Sequence, residues 1–126
     1  MNYIDAFVIP VPTANKKAFI EHAERADPVF MDLGATRVVE CWADDVPEGK
    51  HTDFQRSVAL KADESLVYGW VEWPDKAVRD AAMAKMMDDP RMNPESNPMP
   101  FDGKRMIFGG FVPVVNLVSE VAEDAE

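Results

Sequence analysis

The sequence is poor in the residues that cross-link, ligate or span. Cys41 is its only cysteine, so no disulfide can close within the chain. Two histidines are present, His22 and His51, in no HxH or HxxxH spacing, so no metal centre is expected. No apolar run nears the ~20 residues that cross a bilayer. The opening Met1-Asn2-Tyr3-Ile4-Asp5 has no basic leader before an apolar stretch, so neither a membrane span nor a signal peptide is expected. Bases are scarce beside acids, 13 against 23, leaving a net charge of −10. Such a surface repels a phosphate backbone, which sets nucleic acid aside as a partner. The lone cysteine suits a reducing cytoplasm.

What is present is a globular composition. Of 126 residues, 47% are apolar, and a chain of this length buries roughly two-thirds of its unfolded surface without staples. One α+β domain over residues 1–118 is expected, followed by an acidic flexible tail, 119–126. Residues 2–9 are apolar on both faces apart from Asp5 and read as a strand buried on both sides, stopped by Pro10 and Pro12. Thr13 is placed to cap a helix running to Leu33, with the stripe Phe19, Ala23, Ala26, Phe30 and Leu33 and a break near Pro28; His22 lies at the stripe's edge. Gly34 supplies the stop. Strands follow at 35–43, 54–60 and 66–73, then a helix at 75–88 opened by Pro74 and Asp75. A proline-rich loop, 89–103, precedes a last strand, 104–112. The order is β-α-β-β-β-α-β. Two helices cover one face of an antiparallel sheet, and no other segment looks large enough for the second. A second copy of the chain is therefore expected there, as a homodimer with sheets face to face.

The chemistry-bearing residues are read from strand alternation. If the odd positions of the second and fourth strands face the helices, Glu40, Trp42, Tyr68, Trp70 and Glu72 share the opposite face, joined by Tyr3, Asp5 and Phe7. An aromatic wall with inset carboxylates suits a flat organic ligand. Glu40 or Asp5 would take a proton, Arg105 or Arg56 would steady a developing oxyanion, and Trp42, Tyr68 and Trp70 would hold the ring. The plainer alternative is a dimer core packed solid, with its carboxylates paired to arginines. Cys41 reads as a small buried hydrophobe. Asp44 and Asp45, with Glu48, read as turn formers rather than cation ligands. Gly109-Gly110 lies inside a strand, where it marks a bulge or a side chain packed on bare backbone rather than a phosphate loop. The stretch Met83–Met106 holds six of the eight methionines, read as adaptable core filling under the long loop, with a promiscuous apolar binding surface as the alternative.

Three stretches carry a resemblance: Tyr3–Pro12 (YIDAFVIPVP), Val39–Pro47 (VECWADDVP) and Pro100–Phe111 (PFDGKRMIFGGF). They resemble the YbaA-like family of small bacterial proteins of unknown function, over about residues 1–113. That resemblance implies a ferredoxin-like chain of the dimeric α+β barrel superfamily, with the strand at 54–60 as an addition. The family-like motifs nominate Asp44, Asp45, Asp102, Lys104 and Arg105. The superfamily includes cofactor-independent monooxygenases, isomerases, haem-degrading enzymes and stress proteins. The haem-degrading branch uses a histidine on the second helix, and residues 75–88 have none. The resemblance does not choose among these functions; with the pocket reading, the first expectation is an enzyme without a cofactor, of monooxygenase or isomerase type, acting on a small organic molecule. The alternative is a non-catalytic metabolite-binding or stress-response dimer.

Overall fold

The computed structural model describes residues 2–120. Its sheet has four antiparallel strands: β1 (Tyr3–Pro12), β2 (Arg37–Trp42), β3 (Glu64–Trp73) and β4 (Ile107–Phe111), in spatial order β2-β3-β1-β4. Two helical segments, α1 (Lys16–Ala26) and α2 (Pro28–Asp32), join β1 to β2, and α4 (Lys76–Lys85) follows β3. This is the ferredoxin-like α+β fold. Of the expected acidic tail, residues 121–126 lie outside the described residues.

Local chemistry accounts for most element ends. Pro28 is the first residue of α2, where its missing N–H is not needed, so the helix expected over 13–33 breaks at Asp27. Gly34 follows with φ +115°, a conformation L side chains avoid. Asp75 caps α4 by accepting from the Val78 N–H at 2.8 Å. Thr13 does not cap a helix as expected. Its hydroxyl bonds that of Ser65 at 2.8 Å, and a 3-10 turn at Thr13–Asn15 leads into α1.

Three further expectations are corrected. The segment expected as a strand at 54–60 is a short helix, α3 (Phe54–Ser57), capped by Asp53. Its alternating apolar residues mimic a strand, but the Asp53 cap and the left-handed turn at Ala59 (φ 50°) wind it up. Pro10 and Pro12 do not stop β1, which runs through both, pairing Pro10 with Leu66 and Pro12 with Glu64. Pairing with β4 ends at Val8, so beyond it β1 has a neighbour on one side only and prolines are tolerated. Finally, the loop 43–63 is not too small to cover sheet. Ala43, Val46, Val58 and Leu60 pack on Val8 and Leu66, closing one end of the face opposite the helices.

Register decides the faces. In the β1–β3 pair, Asp5, Phe7 and Ile9 stand opposite Val71, Gly69 and Val67. In the β2–β3 pair, Val38, Glu40 and Trp42 meet those same three β3 residues. Even positions of β2 therefore share the helix-covered face with odd positions of β1 and β3. Two hydrophobic clusters fill that face, one around Trp73, Val29 and Val71, the other around Val11, Phe19 and Val67. Tyr3 lies against Gly110, where a Cβ would meet its hydroxyl at 2.1 Å; this is the packing on bare backbone expected of the glycine pair. The opposite, open face carries Ile4, Ala6, Tyr68, Trp70, Glu72, Ile107 and Phe111.

Candidate functional site

A cavity of about 290 Å³ lies between the helix-covered face and the helices. It is at the lower end of the ~300–1,000 Å³ typical of small-molecule sites. β1 contributes Asp5 and Phe7, β2 contributes Glu40, and α1 contributes Phe19 and His22. Asp27 enters from the break between α1 and α2, and Arg79 and Met83 from α4. The roof is the proline-rich loop, which adds Met92, Met99 and Phe101, with Met106 just after it.

The roof is held by named bonds. Buried Asn97 (3% exposed) donates to the carbonyls of His22 at 3.3 Å and Arg91 at 2.9 Å, and accepts from Arg25 Nε at 3.1 Å. Asn15 donates to the Pro100 carbonyl at 2.9 Å. Phe101 then packs its ring against Phe19 and His22, both at 5.9 Å between centroids. A loop tied to α1 through Asn97 and to the turn before α1 through Pro100 keeps its apolar side chains over the cavity.

Two polar centres line this space. The first is a closed structural network. Asp5 accepts from Trp73 Nε1 at 2.9 Å and from Arg79 Nε and Nη2, the latter at 2.8 Å. Arg79 also stacks over Tyr3, 5.2 Å from the ring centre, and reaches Asp80 at 3.1 Å. With Trp73 fully buried, this network satisfies groups that would be costly to leave unpaired. The second centre is a carboxyl pair. Asp27 and Glu40 are half-buried and hydrogen-bonded to each other, which requires a shared proton. Burial first, then the bond to Asp27 and its charge, push Glu40 up to about 9. Burial also raises Asp27, opposed by the bond from Glu40 and by the nearby His22. His22 Nδ1 is buried and has no hydrogen-bond partner. A carboxyl pair that keeps a proton at neutral pH beside an apolar cavity can accept, hold and return a proton.

The structure divides the residues singled out from the sequence. Glu40 and Asp5 meet in the cavity, although Asp5 is committed to Trp73 and Arg79. Trp42 is on the same face and packs on Phe19 at 6.3 Å, with Lys16 5.3 Å above its ring, but stands outside the cavity wall. Tyr68, Trp70 and Glu72 are on the open face, where Trp70 Nε1 donates to Glu72 at 2.9 Å and Arg37 lies 4.0 Å away. The expected single wall of Glu40, Trp42, Tyr68, Trp70 and Glu72 is therefore split, because β2 pairs with β3 in the register that sets even against odd. Cys41 follows the same register to the open face and is exposed, not buried.

The remaining nominees hold turns. Arg105 pairs with Glu64, bonds Asp102 at 2.9 Å and donates to the Ala59 carbonyl at 3.0 Å, fastening the loop before β3 to that before β4. Asp102 caps the turn at Gly103–Arg105 through the Lys104 N–H. Arg56 is exposed beside Asp53, Lys104 is exposed, and Asp44 and Asp45 are exposed at the bend after β2. Among the described residues, no three His, Cys, Asp or Glu side chains are grouped to hold a metal. Asp27 was missed, yet it had a signal: it falls on the apolar stripe, four residues after Ala23, immediately before Pro28. Arg79 had none, since its partner lies 74 residues away.

Comparison with known proteins now adds to the geometry. The family described as "Protein of unknown function (DUF1428)" matches residues 2–103. The chain is 53% identical to the uncharacterized protein YbaA of Escherichia coli K12, over 92% of this chain and 99% of that one, and equally so to YbaA of Shigella flexneri. Among solved structures, it resembles a dimeric ferredoxin-like protein from an uncultured marine organism, with a TM-score of 0.61 at 15% identity, covering 92% of this chain and 98% of that one. It also resembles a NIPSNAP domain protein from Burkholderia xenovorans, with a TM-score of 0.57 at 16% identity, covering 93% and 99%. No helix among the described residues is long and apolar enough to cross a membrane. With its family match over most of the length, its identity to YbaA and its ferredoxin-like sheet, this chain belongs to the DUF1428 family.

Proposed function

We propose that this protein is a cofactor-independent enzyme that binds a small, mostly apolar organic molecule in the helix-side cavity and moves a proton through the Asp27–Glu40 pair. The carboxyl pair is the observation that carries this reading. The two carboxyls line the same space as phenylalanines and methionines, and burial holds a proton on Glu40 up to about 9. An isomerase-type reaction fits most directly: the pair accepts a proton from a carbon next to a carbonyl and returns it at a second position. Asp5 and Arg79 hold β1 to α4 and so shape the cavity, and the methionines adapt its walls to the ligand.

The working unit in this proposal is a homodimer. The open face leaves Tyr68 42% and Phe111 59% exposed around a groove of about 470 Å³. Val114 and Leu117, each 91% exposed, continue the apolar surface. A second sheet of the same kind suits a face of this character, and one structural neighbour is described as dimeric. Light scattering at micromolar concentration should report twice the chain mass; a monomer would count against this arrangement.

The enzymatic reading is tested in two steps. Thermal unfolding is followed against a panel of aromatic and carbonyl compounds, where a ligand at 100 times its dissociation constant adds ~2.7 kcal/mol. Hits that vanish in Ala26→Phe, which fills the cavity, are then followed by NMR for exchange of carbon-bound hydrogen in heavy water. Exchange abolished by Glu40→Gln with binding retained supports the proposal. Binding without exchange for every hit would make the protein a metabolite-binding dimer instead.

A further inference from the structure

The charges around the cavity are balanced in a way that selects among ligands. Two arginines reach it, and each already faces two carboxylates. Arg79 is bonded to Asp5 at 2.8 Å and to Asp80 at 3.1 Å. Arg91 is bonded to Asp89 at 2.7 Å and to Asp32 at 2.8 Å. Neither offers net positive charge to a ligand. The Asp27–Glu40 pair, holding one proton between two carboxyls, adds negative charge. A carboxylate or phosphate entering the cavity would leave water for an apolar space of the wrong sign.

The hydrogen-bonding capacity left over has a definite character. One proton shared by two carboxyls leaves their remaining oxygen lone pairs as acceptors. His22, on the same wall, has a buried ring nitrogen with no partner. A buried polar atom in this state is an exception that calls for an explanation, and a bound ligand supplies one. The rest of the wall is apolar, with Phe19 and Phe101 packed as tilted rings 5.9 Å apart. An ammonium group would have to shed its hydration for this space, whereas a neutral hydroxyl loses far less.

We infer that the cavity selects neutral, flat, apolar molecules bearing a single hydroxyl donor of the phenol or enol kind, with the hydroxyl directed at His22, Asp27 and Glu40, and that it rejects anions. This rests on the cavity reading above and adds a ligand class to it. A phenolic hydroxyl titrates near 10, so it is neutral at pH 7. Its acidity lies near that of Glu40, a match that favours proton exchange across the bond.

Four naphthalene probes of similar size test the inference on the intact protein by calorimetry at pH 7: 2-naphthol, 2-methoxynaphthalene, 2-naphthoate and 2-naphthylmethylamine. The expected result is 2-naphthol binding at least tenfold more tightly than each of the others. In His22→Phe and in Asp27→Asn, the preference for 2-naphthol over its methyl ether should fall below threefold, while the ether binds as before. Two variants are used so that a folding failure in one leaves the other to decide. Equal binding of naphthol and ether in the wild type, or tightest binding by the naphthoate or the amine, would overturn the inference and leave the cavity reading intact. Absence of binding by all four would overturn both.

Discussion

The two faces of the sheet solve the same problem in opposite ways. On the helix-covered face, polar groups are numerous and nearly all are matched within the chain: Asp5 with Arg79 and Trp73, Asp27 with Glu40, Asn97 with the carbonyls of the roof. On the open face the surface is chiefly aromatic and aliphatic, closed at one end by the loop 43–63 and bare at the other. Low dielectric makes an unmatched polar group costly, so a face enclosed by its own chain must complete its networks within that chain. A face that is completed by association gains instead from apolar area without polar obligations. The difference separates two jobs. The proposed chemistry belongs to the enclosed face and the proposed assembly to the open one.

Breaking the enclosed network should have the largest effect. Arg79→Met leaves Asp5 buried with only the Trp73 donor, and losing one partner of a buried pair costs ~3–5 kcal/mol. Urea denaturation should show that loss in the midpoint; a change below about 1 kcal/mol would mean the pair is solvated in effect. The open face should respond differently. In the proposed homodimer, Phe111→Asp would place a carboxylate on each side of the two-fold, and the dissociation constant should rise at least a hundredfold, ~2.8 kcal/mol. Sedimentation measures this, and an unchanged circular dichroism spectrum would show that the protomer still folds. Unaltered association would detach the open face from assembly.

The smallest effect sharpens the comparison most. Glu40 keeps its proton in the folded state up to about 9, against an ordinary value of 4.5. Between those pH values the folded protein holds more protons than the unfolded chain, so this group's contribution to stability falls as pH rises through that window. Glu40→Gln removes the dependence. The variant should match the wild type near pH 4.5 and exceed it by ~1–3 kcal/mol toward pH 9. Thermal midpoints of both proteins across this range provide the check. Parallel curves would place Glu40 in water rather than in an enclosed pair.

Much of the fold was legible because it depends on short-range chemistry. Pro28 and Gly34 marked the break and the end of the first helical region, and Asp75 marked the start of α4. Apolar strands predicted the sheet. The segment 54–60 was not legible, since four residues of helix and a strand of alternating apolar residues look alike until the Asp53 cap is seen to bond. Half of the site was legible: Glu40 and Asp5 stood out as carboxylates in apolar strands. The other half, Asp27, comes from a helix break and meets Glu40 only when α1 and α2 settle on the sheet.

The sequence by itself determined most element types, the segment 54–60 excepted, the excess of negative charge and the apolar lining that methionine and phenylalanine supply. These follow from periodicity, capping and composition, which act over a few residues. Only the tertiary structure decided which side each strand residue faces. A shift of one residue in the β2–β3 register would exchange Glu40 and Trp42 with Val39 and Cys41. Because side chains alternate with a period of two, that choice belongs to the pairing of strands and not to either strand alone.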